Sequence, residues 1–245
     1  LSIASEASDS SEQIPGPPGE TPAAPLPDDP LAAKLRGFGP LGTLTILLIT
    51  AIGPVLEPLG AILVLAWARR SRTPWREIGF VRPKSWISTV AVGILFGVSF
   101  KFLMKAIVMP LLGADPINPA FHYLAGNQAA LPGMLFDVTV GAGFGEETVF
   151  RGFLFERLGK LFGRGAGAMT SIVLLTSAWF GLIHYPGQGL AGAEQAAIVG
   201  LVFGSIFAIT GRIWMLIFAH AAFDVTAVLI IYWNLESSVA HLVFK

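Results

Sequence analysis

The sequence predicts an all-α fold, a polytopic transmembrane helix bundle of about six spans, and three observations carry that expectation. Hydrophobic residues make up 53% of the 245 and charged residues only 13%, giving a mean hydropathy of +0.68. Several apolar runs approach ~20 residues, the length that crosses a hydrocarbon core of about 30 Å. Between the runs, basic and non-basic links alternate, as orientation by Lys and Arg requires. Composition also excludes functions. A net charge of zero with no basic stripe gives nucleic acid nothing to hold. Without cysteine there is no disulfide framework, thiol nucleophile or cysteine-ligated metal.

Residues 1–37 are rich in Ser, Pro, Asp and Glu and contain no aromatic, so they are expected to form a disordered tail. A membrane-embedded domain is expected over 38–233, and a short C-terminal tail over 234–245. The first apolar segment, about 40–67, is interrupted by Pro54, Glu57 and Pro58. One kinked span is expected there, with a re-entrant hairpin as the alternative, because both prolines remove backbone donors midway. The link that follows carries Arg69, Arg70, Arg72, Arg76, Arg82 and Lys84 and should face the cytoplasm.

A second span covers about 86–112, with Lys101 and Lys105 expected to snorkel to its far interface. The other reading of Lys101 sets it against an acid, Asp137 or Glu146, in a wet cavity. A third span, about 132–158, holds Gly141-xxx-Gly145, a spacing that permits close helix approach. The fourth, about 166–184, should stop at Tyr185-Pro186-Gly187. A fifth over about 194–210 and a sixth over 213–233 complete the set, placing both termini on the non-cytoplasmic side.

The chemistry gathers at Gly145-Glu146-Glu147-Thr148-Val149-Phe150-Arg151-Gly152. An ionisable group at the bilayer centre costs roughly 2.5–3.5 kcal/mol on insertion scales, so three together must face a protein interior and pair. Glu147 and Arg151 are i, i+4 neighbours; Glu146 lies about 100° round the helix, outside that pairing. A purely structural ion pair that fixes helix register needs one acid and one base. The second acid is therefore a candidate general base.

Of the four histidines, His122 falls in a polar loop and His241 in the tail, whereas His184 ends a span and His220 lies inside one. His220 has Asp224 one turn later on the same face. Mutual satisfaction of Glu146, Glu147, Arg151, His184, His220 and Asp224 requires their three helices to converge. Carboxylates and imidazoles so gathered can activate water and stabilise an oxyanion, the equipment of amide hydrolysis, and a proton pathway could use the same groups. No G-x-S-x-G, H-E-x-x-H or G-x-G-D occurs, which argues against serine, zinc and aspartyl intramembrane proteases.

Glu146-Glu147-xxx-Arg151, Phe180-xxx-His184 and His220-xxx-Asp224, in that order on successive apolar segments, resemble the CPBP family (CAAX prenyl protease and bacteriocin-processing, also called Abi). The resemblance covers about residues 75–233, including Ile78-Gly79-Phe80. It implies an intramembrane endopeptidase in which Glu146 with His184 activates the attacking water, Glu147 and Arg151 position the substrate, and His220 and Asp224 frame the oxyanion. Asp224 stands where Asn is commoner; an ionised Asp cannot donate to an oxyanion, so either burial protonates it or, the favoured expectation, it orients and charges His220 and leaves that ring to donate. No cofactor is expected, zinc being the alternative that two histidines and a glutamate would allow. The expected partners are a membrane-associated peptide or protein substrate and the lipid bilayer, with no nucleic acid, and the expected location is a bacterial plasma membrane. A non-catalytic scaffold or immunity protein that binds a partner is the competing reading.

Overall fold

The computed structural model describes residues 29–53 and 56–244, which are helical and contain no strand. Helix α1, Pro30–Arg36, begins on Asp29, whose carboxylate accepts from the amides of Leu31 at 3.1 Å and Ala32 at 3.2 Å, with Pro30 at the first position. The tail boundary expected at 37 is therefore corrected: residues 30–36 are ordered against the bundle through the buried Ala32. Residues 1–28 lie outside the described residues.

Helices α2, Pro40–Ile52, and α3, Glu57–Arg70, run antiparallel. Trp67 Nε1 donates to the Leu35 carbonyl at 3.1 Å, and Arg72 lies 3.4 Å from Asp29, so the two legs end together. Near the turn a Cβ on Gly60 would come within 2.5 Å of Gly53 Cα. Legs of 13 and 14 residues rise ~20 Å each, short of a bilayer core. The single kinked span expected over 40–67 is thus replaced by its alternative, a re-entrant hairpin. Gly53, beside the turn, faces Val149, one turn from the acids.

Helix α4, Trp86–Leu111, starts on the Ser85 hydroxyl, which accepts from the Ser88 amide. Helix α5 covers residues 131–162 and winds as a π-helix over Asp137–Glu146 and again over Thr148–Leu154, with Glu147 at the junction. Such i→i+5 winding is rare and concentrates at functional sites. Helix α6, Ala166–Thr210, continues through Pro186 and breaks at Gly189, where φ is 67° and ψ −166°. Only glycine adopts that conformation readily. The arms fold back on each other: Gly181 faces Ala193 and Ala197, Gly200 faces Ser177, and Gly204 faces Val173. The stop expected at Tyr185-Pro186-Gly187 therefore falls slightly later, at a one-residue hinge instead of a loop. Helix α7, Trp214–Tyr232, and a short α8, Glu236–Ala240, complete the chain.

Helices α4 and α7 pack backbone against backbone. A Cβ on Gly93 would lie 2.8 Å from the Met215 carbonyl, and one on Gly97 would collide with that of Ala219. Gly97→Leu is expected to destabilise the detergent-solubilised protein by roughly 1–3 kcal/mol through overpacking. Leu95→Ala, on the exposed side of the same helix, should leave the melting temperature unchanged.

Contacts between element ends define two sides. On one, Arg157 Nη1 donates to the Arg36 carbonyl at 2.7 Å, Lys160 meets Glu77 at 3.2 Å, and the Ile213 amide donates to the Gly79 carbonyl. On the other, the Gly126 amide donates to the Tyr232 carbonyl and the Asn118 amide to Glu236 at 2.8 Å. Among the described residues three helices qualify as spans by length and apolarity, Trp86–Leu111, Ala166–Thr210 and Trp214–Tyr232, or four if the bent pair Pro30–Arg36 with Pro40–Ile52 is one span. Tracing the chain between the two sides, α4, α5, both arms of α6 and α7 each pass across, while α2 and α3 enter and return. The described ends accordingly lie on opposite sides; the N-terminus, expected on the same side as the C-terminus, lies outside the described residues. The expected C-terminal tail is likewise corrected: Glu236 is buried and ties α8 into the bundle.

Candidate active site

Glu147 is fully buried, and its Oε1 accepts from Arg151 Nη1 at 2.9 Å and from His220 Nδ1 at 2.7 Å. A carboxylate can only accept, so His220 carries a proton on Nδ1. Its other nitrogen, Nε2, points to Glu146 Oε2 at 3.6 Å and Asp224 Oδ2 at 3.4 Å. The same logic fixes His184. Its Nδ1 lies 2.7 Å from the Phe180 carbonyl, one turn earlier, and must donate there. His184 Nε2 then faces Glu146 Oε1 at 3.8 Å. Both imidazoles present Nε2 to one carboxylate, at separations a single water can bridge.

Aromatic rings hold the cluster. The Arg151 guanidinium lies 5.1 Å from the Phe180 ring centroid and 5.6 Å from that of Phe203, within cation–π range. Its Nη2 and Glu147 Oε2 make no hydrogen bond among the described residues. Phe203 also stands edge-on to His220 at 5.5 Å, and Phe180 edge-on to His184 at 4.6 Å. Phe203 was missed by sequence reasoning, because one phenylalanine among 18 carries no spacing signal.

A cavity of about 740 Å³ opens at this cluster, lined by Glu146, His184, His220 and Asp224 from α5, α6 and α7. Convergence of these three elements is what the sequence required. Glu147 and Arg151 are brought to the cluster but do not line the cavity; Glu147 stands on the Nδ1 side of His220. Lys101 does not snorkel. It is 7% exposed, lines the cavity and donates to Gln195 Oε1 at 3.2 Å. Lys105 bonds the Pro116 carbonyl and lies 3.8 Å from Glu236. His122 is bound to Glu236 at 2.9 Å, and the exposed His241 bonds within its own turn. Among the described residues no group of three or more His, Cys, Asp or Glu is arranged to hold a metal ion.

Residues 128–226 match the family model described as type II CAAX prenyl endopeptidase Rce1-like, a stretch that contains every residue from Glu146 to Asp224 named above. The stretch is thus similar to that family, and the apolar helices make the chain an integral membrane protein. No curated protein matches the chain, and no solved structure does.

Proposed function

We propose, for a chain whose residues 128–226 match the type II CAAX prenyl endopeptidase family, an endopeptidase that hydrolyses a membrane-associated protein or peptide with a water activated by Glu146. The observation that carries this reading is the aim of two imidazole Nε2 atoms at one cavity carboxylate, each ring's Nδ1–H being engaged elsewhere. A water held between Glu146 and His184 gives a proton to Glu146 as its oxygen attacks the scissile carbonyl. With Nδ1–H engaged by Glu147, a proton on His220 Nε2 is the one available to the developing oxyanion, and Asp224 holds it until then. Glu146 then passes its proton to the leaving amine as the C–N bond breaks. Glu147 and Arg151 act as positioning residues for His220, in place of the substrate contact expected of them.

The reading includes no metal. A zinc-bound water would still need a base, and Glu147 is engaged by Arg151 and His220. Treatment with 1,10-phenanthroline is expected to leave turnover unchanged; loss of activity restored by added zinc would reverse that assignment. The proposed partners are a membrane-associated substrate, of CAAX or bacteriocin type, and the bilayer of a bacterial plasma membrane.

The test is a comparison of new peptide termini in membranes that express the wild type or Glu146→Gln at matched levels. Termini that depend on Glu146 are expected and would identify the substrate. Equal profiles, with the native host's membrane proteins present, would favour a scaffold that binds a partner.

A further inference from the structure

The cavity reaches one end of the bundle and is closed off from the other. Asp115, Ile117 and Pro119, exposed residues of the loop between α4 and α5, form part of its lining, as do Gln188 and Leu190 beside the α6 hinge. On the far side of the Glu146 cluster the bundle is filled by apolar side chains: Phe150, Phe153, Phe155, Ile78 and Ile213 are all buried, and Phe155 stands edge-on to Phe207 at 5.1 Å. Glu146 is therefore approached from the end that carries the 113–130 loop. The two ends differ in charge. At the closed end lie the basic link over residues 69–84, the exposed Arg164 after α5 and the exposed Arg212 between α6 and α7. At the open end, residues 113–131, 185–194 and 233–244 contain no Lys or Arg. Lys101 and Lys105, in the open half of α4, turn inward, Lys101 to Gln195 and Lys105 to Glu236. Short links rich in Lys and Arg stay in the cytoplasm, so the charge pattern puts the closed end there.

We propose that the cavity opens on the non-cytoplasmic face of the membrane, so that the enzyme cuts the part of a membrane-anchored peptide or protein that has already crossed the bilayer. This rests on the endopeptidase reading and adds to it the side on which the substrate is met. Of the two substrate types named above, it selects the exported, bacteriocin-type peptide. A CAAX sequence that remains in the cytoplasm would face the closed end, with the packed phenylalanines between it and Glu146. The chemistry of the cluster is indifferent to the side; the direction in which the bundle is inserted makes the selection.

The chain contains no cysteine, so a single-cysteine variant reports one position. The full chain is expressed in bacterial spheroplasts as Ile117→Cys, at the cavity mouth, or Gly165→Cys, in the link between α5 and α6, and treated with a membrane-impermeant maleimide before and after lysis. Ile117→Cys is expected to be labelled fully before lysis and Gly165→Cys only after it. Gln128→Cys and Thr210→Cys, exposed at the same two ends, supply the measurement if either of the first pair fails to accumulate. The reverse pattern, or labelling of both ends in intact spheroplasts, would overturn the proposal. Peptide termini that depend on Glu146 are expected in the non-cytoplasmic portions of their parent proteins; termini confined to cytoplasmic portions would overturn the choice of substrate. Failure of the endopeptidase reading shows separately, as the absence of any Glu146-dependent terminus from protein whose labelling pattern supports the orientation.

Discussion

Glu146→Gln is expected to lower peptide hydrolysis by roughly 10²–10⁴-fold, the range that a positioned general base contributes, while the protein remains folded. The substitution keeps the shape of the side chain and its capacity to hydrogen-bond to His184 Nε2 and His220 Nε2, which lie 3.8 Å and 3.6 Å from the carboxylate. What it removes is the ability to take a proton from water. The readout is turnover of a fluorogenic membrane peptide by purified protein, with a melting curve to show that the bundle is intact. His184→Ala should cost less than Glu146→Gln, since the carboxylate remains to accept the proton. A Gln variant with turnover near that of the wild type would transfer the base to Asp224, the cavity-lining acid 3.4 Å from His220 Nε2.

Which of these features the sequence reveals depends on how local their causes are. Pairing of Glu147 with Arg151 is an i, i+4 relation inside one helix and could be deduced by counting. Engagement of Glu147 by His220 joins residues 73 apart and could not; only the packing of α7 on α5, with Gly143 against Ala221, makes it. The re-entrant hairpin was legible only as an alternative. Prolines in the middle of an apolar run fit a kink or a reversal equally, and the reversal is shown by Trp67 meeting Leu35 and Arg72 meeting Asp29. Lys101 in the cavity was likewise legible only as an alternative, and its hydrogen-bond partner there is Gln195 instead of an acid. A long cationic side chain near a helix end can snorkel or turn inward, and the Gly93–Gly97 stripe that turns its face to α7 went unread. The convergence of α5, α6 and α7 was legible because burying six ionisable groups in lipid leaves few other arrangements.

Arg151→Met is expected to destabilise the protein by about 3–5 kcal/mol, the cost of breaking a buried ion pair from one side. Glu147 would remain fully buried with His220 as its one hydrogen-bond partner among the described residues, and the faces of Phe180 and Phe203 would lose the cation between them. Replacing both members is a different experiment. In Glu147→Met with Arg151→Met no charge of the pair is left in the interior, and most of the stability should return, as it does when apolar side chains of similar volume replace a buried pair. Activity should not return, because His220 Nδ1 has lost the acceptor that fixes its tautomer and directs Nε2 to the cavity. Melting temperature and turnover, measured across the two single variants and the double, therefore separate two roles for the same ion pair. A double variant that recovers both would make Glu147 and Arg151 a packing element only; recovery of stability without turnover assigns them to the positioning of His220.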